Sequence, residues 1–177
     1  MKKEFLERQG RPVIFQAGSS SDFMNIAAKH ADEVFLPSDD LEDAKAFSNE
    51  VKKRGASEGR SPDDFIITLS HNPIVGCTER EAEEKFQKLE TLMPGYRIPK
   101  PKFFGSAEKV ADQIQQWYEA GAMDLLKIRQ EHPSGFDDFI NLVIPILQDR
   151  GIFRTEYESN TLRGHLGLPY PENRYSV

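Results

Sequence analysis

Short apolar runs alternate along the chain with stretches whose apolar positions recur every three or four residues. Pro12-Val13-Ile14-Phe15-Gln16 is a compact run between Gly10 and Gly18, and it predicts a strand. Phe23, Ala27, His30 and Ala31 then keep helical spacing. Glu33-Val34-Phe35-Leu36 predicts a second strand, closed by Pro37, and Ser38 or Asp39 is placed to cap a helix carrying Ala44, Phe47 and Val51, ended by Gly55. Phe65-Ile66-Ile67-Thr68-Leu69 is the clearest strand. Thr78-Glu79-Arg80-Glu81 has the form of a capping box, opening a helix with Ala82, Phe86, Leu89 and Met93 on one face. After a Pro/Gly-rich connection from Met93 to Lys102, Ser106 caps a helix whose apolar side is Val110, Ile114 and Trp117, ended by Gly121. Asp124 to Ile128 predicts a fourth strand, and Phe136 to Gln148 a final long helix. A loop-rich tail follows from Gly151.

Four strand-then-helix units in succession imply an α/β fold with a parallel sheet and right-handed crossovers. The strands are continuous apolar runs, as in sheets covered on both faces. Four such units make either a small open α/β sheet or half of a (β/α)8 barrel, and periodicity alone does not choose. A half barrel would have two open edges. The expected inner face is Val13, Phe15, Phe65, Ile67 and Leu126, and the tail 151–177 is long enough to cover one edge.

Candidate chemistry concentrates in Gln16-Ala17-Gly18-Ser19-Ser20-Ser21, between a strand and a helix N-terminus. Amides there have no partner within the helix and the helix dipole is positive, so an anion is stabilised. Gly18 lets the backbone approach closely and the hydroxyls add donors, which suits a phosphate. The competing reading is that Ser20 or Ser21 simply caps the helix. His30 has the spacing of a packing residue. His71 follows the third strand, where barrel enzymes carry catalytic loops, but no partner is apparent in sequence. Asp124, at a strand start, and Trp117, on a core stripe, have structural positions. No residue is identified as catalytic.

Composition narrows the function classes. A net charge of −6 argues against a nucleic-acid partner, and no apolar run approaches the ~20 residues of a membrane span. The sign-alternating charges at 79–85 fit a solvated helix face. A single cysteine, Cys77, excludes an internal disulfide and gives no metal cluster, and with no signal peptide in the first residues a cytoplasmic location is expected. The 177 residues fall short of the ~250 of a complete barrel.

An ordered set of motifs, from about Gly10 to the C-terminus, resembles one family. It comprises Arg11-Pro12-Val13-Ile14-Phe15-Gln16-Ala17-Gly18-Ser19-Ser20, with His30-Ala31-Asp32, Pro73-Ile74-Val75-Gly76-Cys77-Thr78-Glu79 and Phe104-Gly105-Ser106 following. Val143-Ile144-Pro145-Ile146-Leu147-Gln148, Thr161-Leu162-Arg163 and Leu166-Gly167-Leu168 complete it. The family is that of the bacterial-luciferase-like flavin monooxygenases, in the branch of nitrilotriacetate and dibenzothiophene-sulfone monooxygenases. The resemblance implies the C-terminal half of a (β/α)8 TIM-type barrel, as one partial domain over 1–177, with 1–9 an N-terminal extension. It also implies a two-component enzyme that takes reduced FMN from a separate flavin reductase and oxygenates a small organic substrate with O2. Ala17, Gly18, Ser19 and Ser20 would hold the FMN phosphate, Ser20 foremost. Two positions depart from the family pattern: Phe23 stands where it has glycine, and Asp124-Leu125-Leu126 where it has Asp-Gly-Phe. The earlier barrel strands, which line most of the flavin and substrate pocket, are not in this chain. A homo-oligomer or a complementing N-terminal half is therefore the expected partner, with a catalytically inactive remnant or packing subunit as the alternative.

Overall fold

A computed structural model describes residues 9–36 and 38–172. The predicted units are all present. Strand β1 (Phe15–Ala17) leads to helix α1 (Ser21–His30), β2 (Glu33–Phe35) to α2 (Leu41–Ser57), and β3 (Ile66–His71) to β4 (Ile74–Gly76) and α3 (Glu79–Leu92). Strand β5 (Phe104–Ser106) leads directly into α4 (Ala107–Glu119) and is followed by β6 (Leu125–Ile128). The chain then turns through α5 (Gly135–Asp138), a π-turn (Phe139–Val143), α6 (Ile144–Asp149) and a short α7 (Leu162–His165). Strands β1, β2, β3 and β6 form one parallel sheet in that order, and β4 and β5 a separate parallel pair. Pro37, residues 1–8 and the last part of the tail, 173–177, lie outside the described residues.

One core holds the sheet to its helices. Val34, Ile67 and Leu69 pack with Ala27, Phe47, Val51, Val110 and Trp117, all buried. The strand period of two then fixes which residues face the other way. Register aligns Phe15, Glu33 and Ile66 in one row, Ala17, Phe35, Thr68 and Leu125 in the next, and Ser70 with Lys127 at the C-terminal rim. This inner face differs from the expected one: Phe65 and Ile67 are in the core and Leu126 packs against it. Phe15 keeps its place, its ring tilted against Phe35 with centroids 6.2 Å apart.

Several local expectations are corrected. Asp40, not Ser38 or Asp39, caps α2, its carboxylate accepting from the Glu42 and Asp43 amides. At α3, Thr78 accepts from the Glu81 amide, but the Glu81 carboxylate reaches the amide of Cys77 rather than that of Thr78. His30 is exposed in the last turn of α1, where a basic side chain suits the dipole, instead of packing. The long final helix is interrupted: the Ile144 amide bonds the Phe139 carbonyl five residues back. That wider turn puts Pro145 in the first turn of α6, where its missing N–H is not needed.

The tail plugs the N-terminal end of the strands. Arg163, 1% exposed, donates to the carbonyls of Arg11, Pro12 and Pro169 and to the carboxylate of Asp32 just before β2. Among the described residues no strand pairs with the outer edge of β6, which borders an apolar cleft of about 1080 Å³ lined by Leu126, Ile128, Phe136, Ile140, Tyr157 and Leu162.

Candidate phosphate site

The C-terminal end of β1 carries the loop that sequence singled out. Ala17 closes the strand, exposed and in register with Phe35. Gly18 follows at φ +148, a conformation that L side chains rarely adopt, and its amide donates back to the Phe35 carbonyl. A Cβ there would meet the Phe23 ring at 2.9 Å. Phe23 therefore lies on Gly18 and against the main core, so it fills the flank of the loop.

Ser20 is the N-cap of α1, in extended backbone, and its oxygen accepts from the Phe23 amide at 3.2 Å. The capping reading is therefore correct as far as it goes. An oxygen that accepts one bond still has its own proton to give, so the hydroxyl of Ser20 remains a donor. Ser19, Ser20 and Ser21 are exposed, and the amides of the first helical turn have no intrahelical acceptor. First-turn amides, the exposed Ser19 and Ser20 hydroxyls and the positive end of a ten-residue helix stand together here. That donor set fits a phosphate.

One basic group beside the loop was not legible in sequence. Arg54, thirty-three residues away on α2, donates to the Ser21 carbonyl and hydroxyl and to Asn25 Oδ1 at 2.9–3.2 Å. Its Nε is held by Glu50, which the hydrogen bond from Arg54 keeps below the ordinary carboxylate range. Arg54 pins α1 to α2 beside the loop, its charge shared with Glu50. Only the Glu50–Arg54 spacing of four hinted at its orientation.

The other candidates take structural places. His71 is 1% exposed on the helix side, edge-on to Phe103 and Trp117, with Nδ1 3.3 Å from Asp39 and Nε2 without a partner among the described residues. Burial pushes its imidazole below the ordinary range, and nearby Arg129 and Lys102 reinforce this against Asp39. Asp124 accepts from the Ile67 amide at 2.8 Å and pairs β6 to β3. Trp117 is in the core. Among the described residues no helix is long and apolar enough to cross a membrane.

Comparison with known proteins agrees with this architecture. A family model described as a luciferase-like monooxygenase matches residues 3–132. N-acetyl-S-(2-succino)cysteine monooxygenase of Bacillus subtilis (strain 168) is 32% identical over 95% of this chain and 52% of its own length. Nitrilotriacetate monooxygenase component A of Aminobacter aminovorans is 32% identical over 93% of the chain and 50% of its own. Among solved structures, long-chain alkane monooxygenase superposes with a TM-score of 0.77 at 32% identity, over 96% of this chain and 47% of that one. A riboflavin lyase with modified FMN superposes at 0.82 and 23% identity, over 93% and 49%, a likeness of fold. The chain thus spans about half the length of the relatives it matches.

Proposed function

The chain belongs to the luciferase-like monooxygenase family, and on that premise we propose that it is an FMN-dependent monooxygenase module whose phosphate grip is Ala17, Gly18, Ser19 and Ser20. The observation that carries this reading is the placement of Ser20. It caps α1 at the C-terminal end of a parallel strand, beside a glycine in a conformation closed to other residues. Ligands of barrel enzymes gather at that end of the strands. Ser19 and Ser20 hydroxyls and the first-turn amides would bind the phosphate, Gly18 would keep the backbone clear, and Phe35 and Phe15 offer an apolar wall on the inner face below. Bound reduced FMN would supply the electrons with which O2 gives one atom to the substrate and the other to water.

The finer parts of the reading follow from the family. Reduced FMN would come from a separate flavin reductase, consistent with a relative called component A. The substrate is a small organic molecule. Names of relatives range from a succinylated cysteine to a long-chain alkane, so none transfers by similarity alone. Residues 1–177 are read as one partial barrel domain with a tail from 151, placed in the cytoplasm. The open β6 edge and its cleft support a second role, packing against a complementing half or another copy. Fluorescence titration with FMN and with riboflavin tests the reading. Saturable binding that favours FMN is expected, and equal affinity for the two, or none, would contradict it.

A further inference from the structure

Of the inner-face polar groups, one pair is already satisfied: Thr68 donates to Glu33 at 2.7 Å. The C-terminal rim is different. Ser70 and Lys127 stand opposite each other across β3 and β6. Their neighbours Leu69, His71, Leu126 and Ile128 pack on or beside the helix-side core, so strand alternation turns Ser70 and Lys127 to the other face. Ser70 Oγ is buried and has no hydrogen-bond partner among the described residues. Lys127 is exposed, and among the described residues no carboxylate comes within ion-pair distance of it. A buried hydroxyl without a partner and a cation without a counter-charge, side by side, form a donor-rich point that lacks its acceptor.

Location decides what that acceptor is. The rim lies at the same end of the sheet as the Gly18–Ser20 loop, with Ser70 two strand spacings from it, about 9.5 Å, and Lys127 three, about 14 Å. A ligand phosphate held on the loop is too far away to serve both points. We propose that Ser70 and Lys127 form the anion-recognition point for the substrate, and that the substrate carries a carboxylate. Lys127 supplies the charge, and Ser70 fixes one carboxylate oxygen. This rests on the phosphate reading of the loop only in assigning the anion to the substrate rather than to the flavin.

The test uses the full 177-residue chain, with succinate as the anionic ligand and succinamide as its neutral isostere, followed by backbone amide NMR. Succinate should shift the Ser70 and Lys127 amides saturably, and succinamide should not. Lys127→Met should weaken succinate about tenfold or more, the scale of a lost charged hydrogen bond, and Lys127→Arg should recover part of it. FMN affinity should be unchanged in Lys127→Met. Shifts that are absent, equal with succinamide, or indifferent to Lys127→Met would overturn the proposal. A parallel loss of FMN affinity in Lys127→Met would also overturn it, by giving the anion to the flavin. Succinate binding that persists at these residues in a chain unable to bind FMN would uphold the anion site while the phosphate reading fails.

Discussion

Arg163 and Asp32, 131 residues apart in sequence, form a buried ion pair that locks the tail under the sheet. Asp32 also takes a two-pronged bond from Arg11 and one from the Ile14 amide. Removing one partner of a buried pair strands the other charge, at a cost of about 3–5 kcal/mol. Arg163→Met should therefore destabilise the chain by about 3 kcal/mol, because Arg11 still neutralises part of Asp32. Arg11→Met, whose side chain is about a third exposed, should cost less. Urea unfolding of both variants checks the order, and equal costs would show that burial of the pair is not what matters.

The same carboxylate has a pH signature. Burial alone would raise the pKa of Asp32, but the hydrogen bonds from Arg11, Arg163 and Ile14 outweigh it and hold the group below the ordinary range. Its contribution is thus complete above the unfolded carboxylate pKa and is lost as pH falls through the lower folded value. His71 acts earlier. Its folded pKa lies below the ordinary 6.5, so the unfolded chain binds a proton that the folded one resists. Stability should fall as pH drops below about 6.5 and stop falling at the folded pKa. His132, also lowered by burial, adds a smaller part. Replacing His71 with Phe should flatten the stability profile just below about pH 6.5, and an unchanged slope there would contradict this origin.

How much of this was visible beforehand follows from the range of each interaction. Strands β1, β2, β3 and β6 and helices α1 to α4 were legible because each is a local apolar pattern with its own caps. The β4–β5 pair was not, since each strand contains a glycine and only one or two apolar residues, and their pairing joins residues thirty apart. Arg54 on Ser21 and Arg163 on Asp32 were equally invisible, as both depend on the sheet bringing distant segments together. The phosphate loop was legible as a motif. The role of Phe23 was not: its ring, standing where the family pattern has glycine, lies on Gly18 and the core.

Assembly should reflect the open edges. Among the described residues, β1 and β6 have no neighbour on one side of the four-stranded sheet, and Phe136 (43%) and Ile140 (56%) are exposed beside the β6 cleft. Unpaired edges and exposed apolar area of this kind favour association. The 177-residue chain should elute as a dimer or larger species. Light scattering showing a monodisperse monomer with sharp unfolding would contradict this.

Turnover should be absent from the 177-residue chain even with reduced FMN supplied. Oxygen insertion needs the flavin ring fixed against substrate and shielded from water, and a sheet open at both edges does neither. Oxygen consumption should yield hydrogen peroxide, and oxygenated product above a protein-free control would refute the expectation.

The phosphate assignment is tested most directly by Ser20→Ala, with FMN and riboflavin titrated against parent and variant chains. The side chain of Ser20 caps α1 and keeps a hydroxyl proton that the proposal assigns to the phosphate, so fold and binding must be read separately. Loss of the cap should lower stability by about 0.5–2 kcal/mol, measured without ligand. Loss of a hydrogen bond to a charged group should weaken FMN by a further ~1–3 kcal/mol. Riboflavin, which has no phosphate, should bind parent and variant alike. Equal losses for FMN and riboflavin, or FMN affinity untouched by the substitution, would contradict the account.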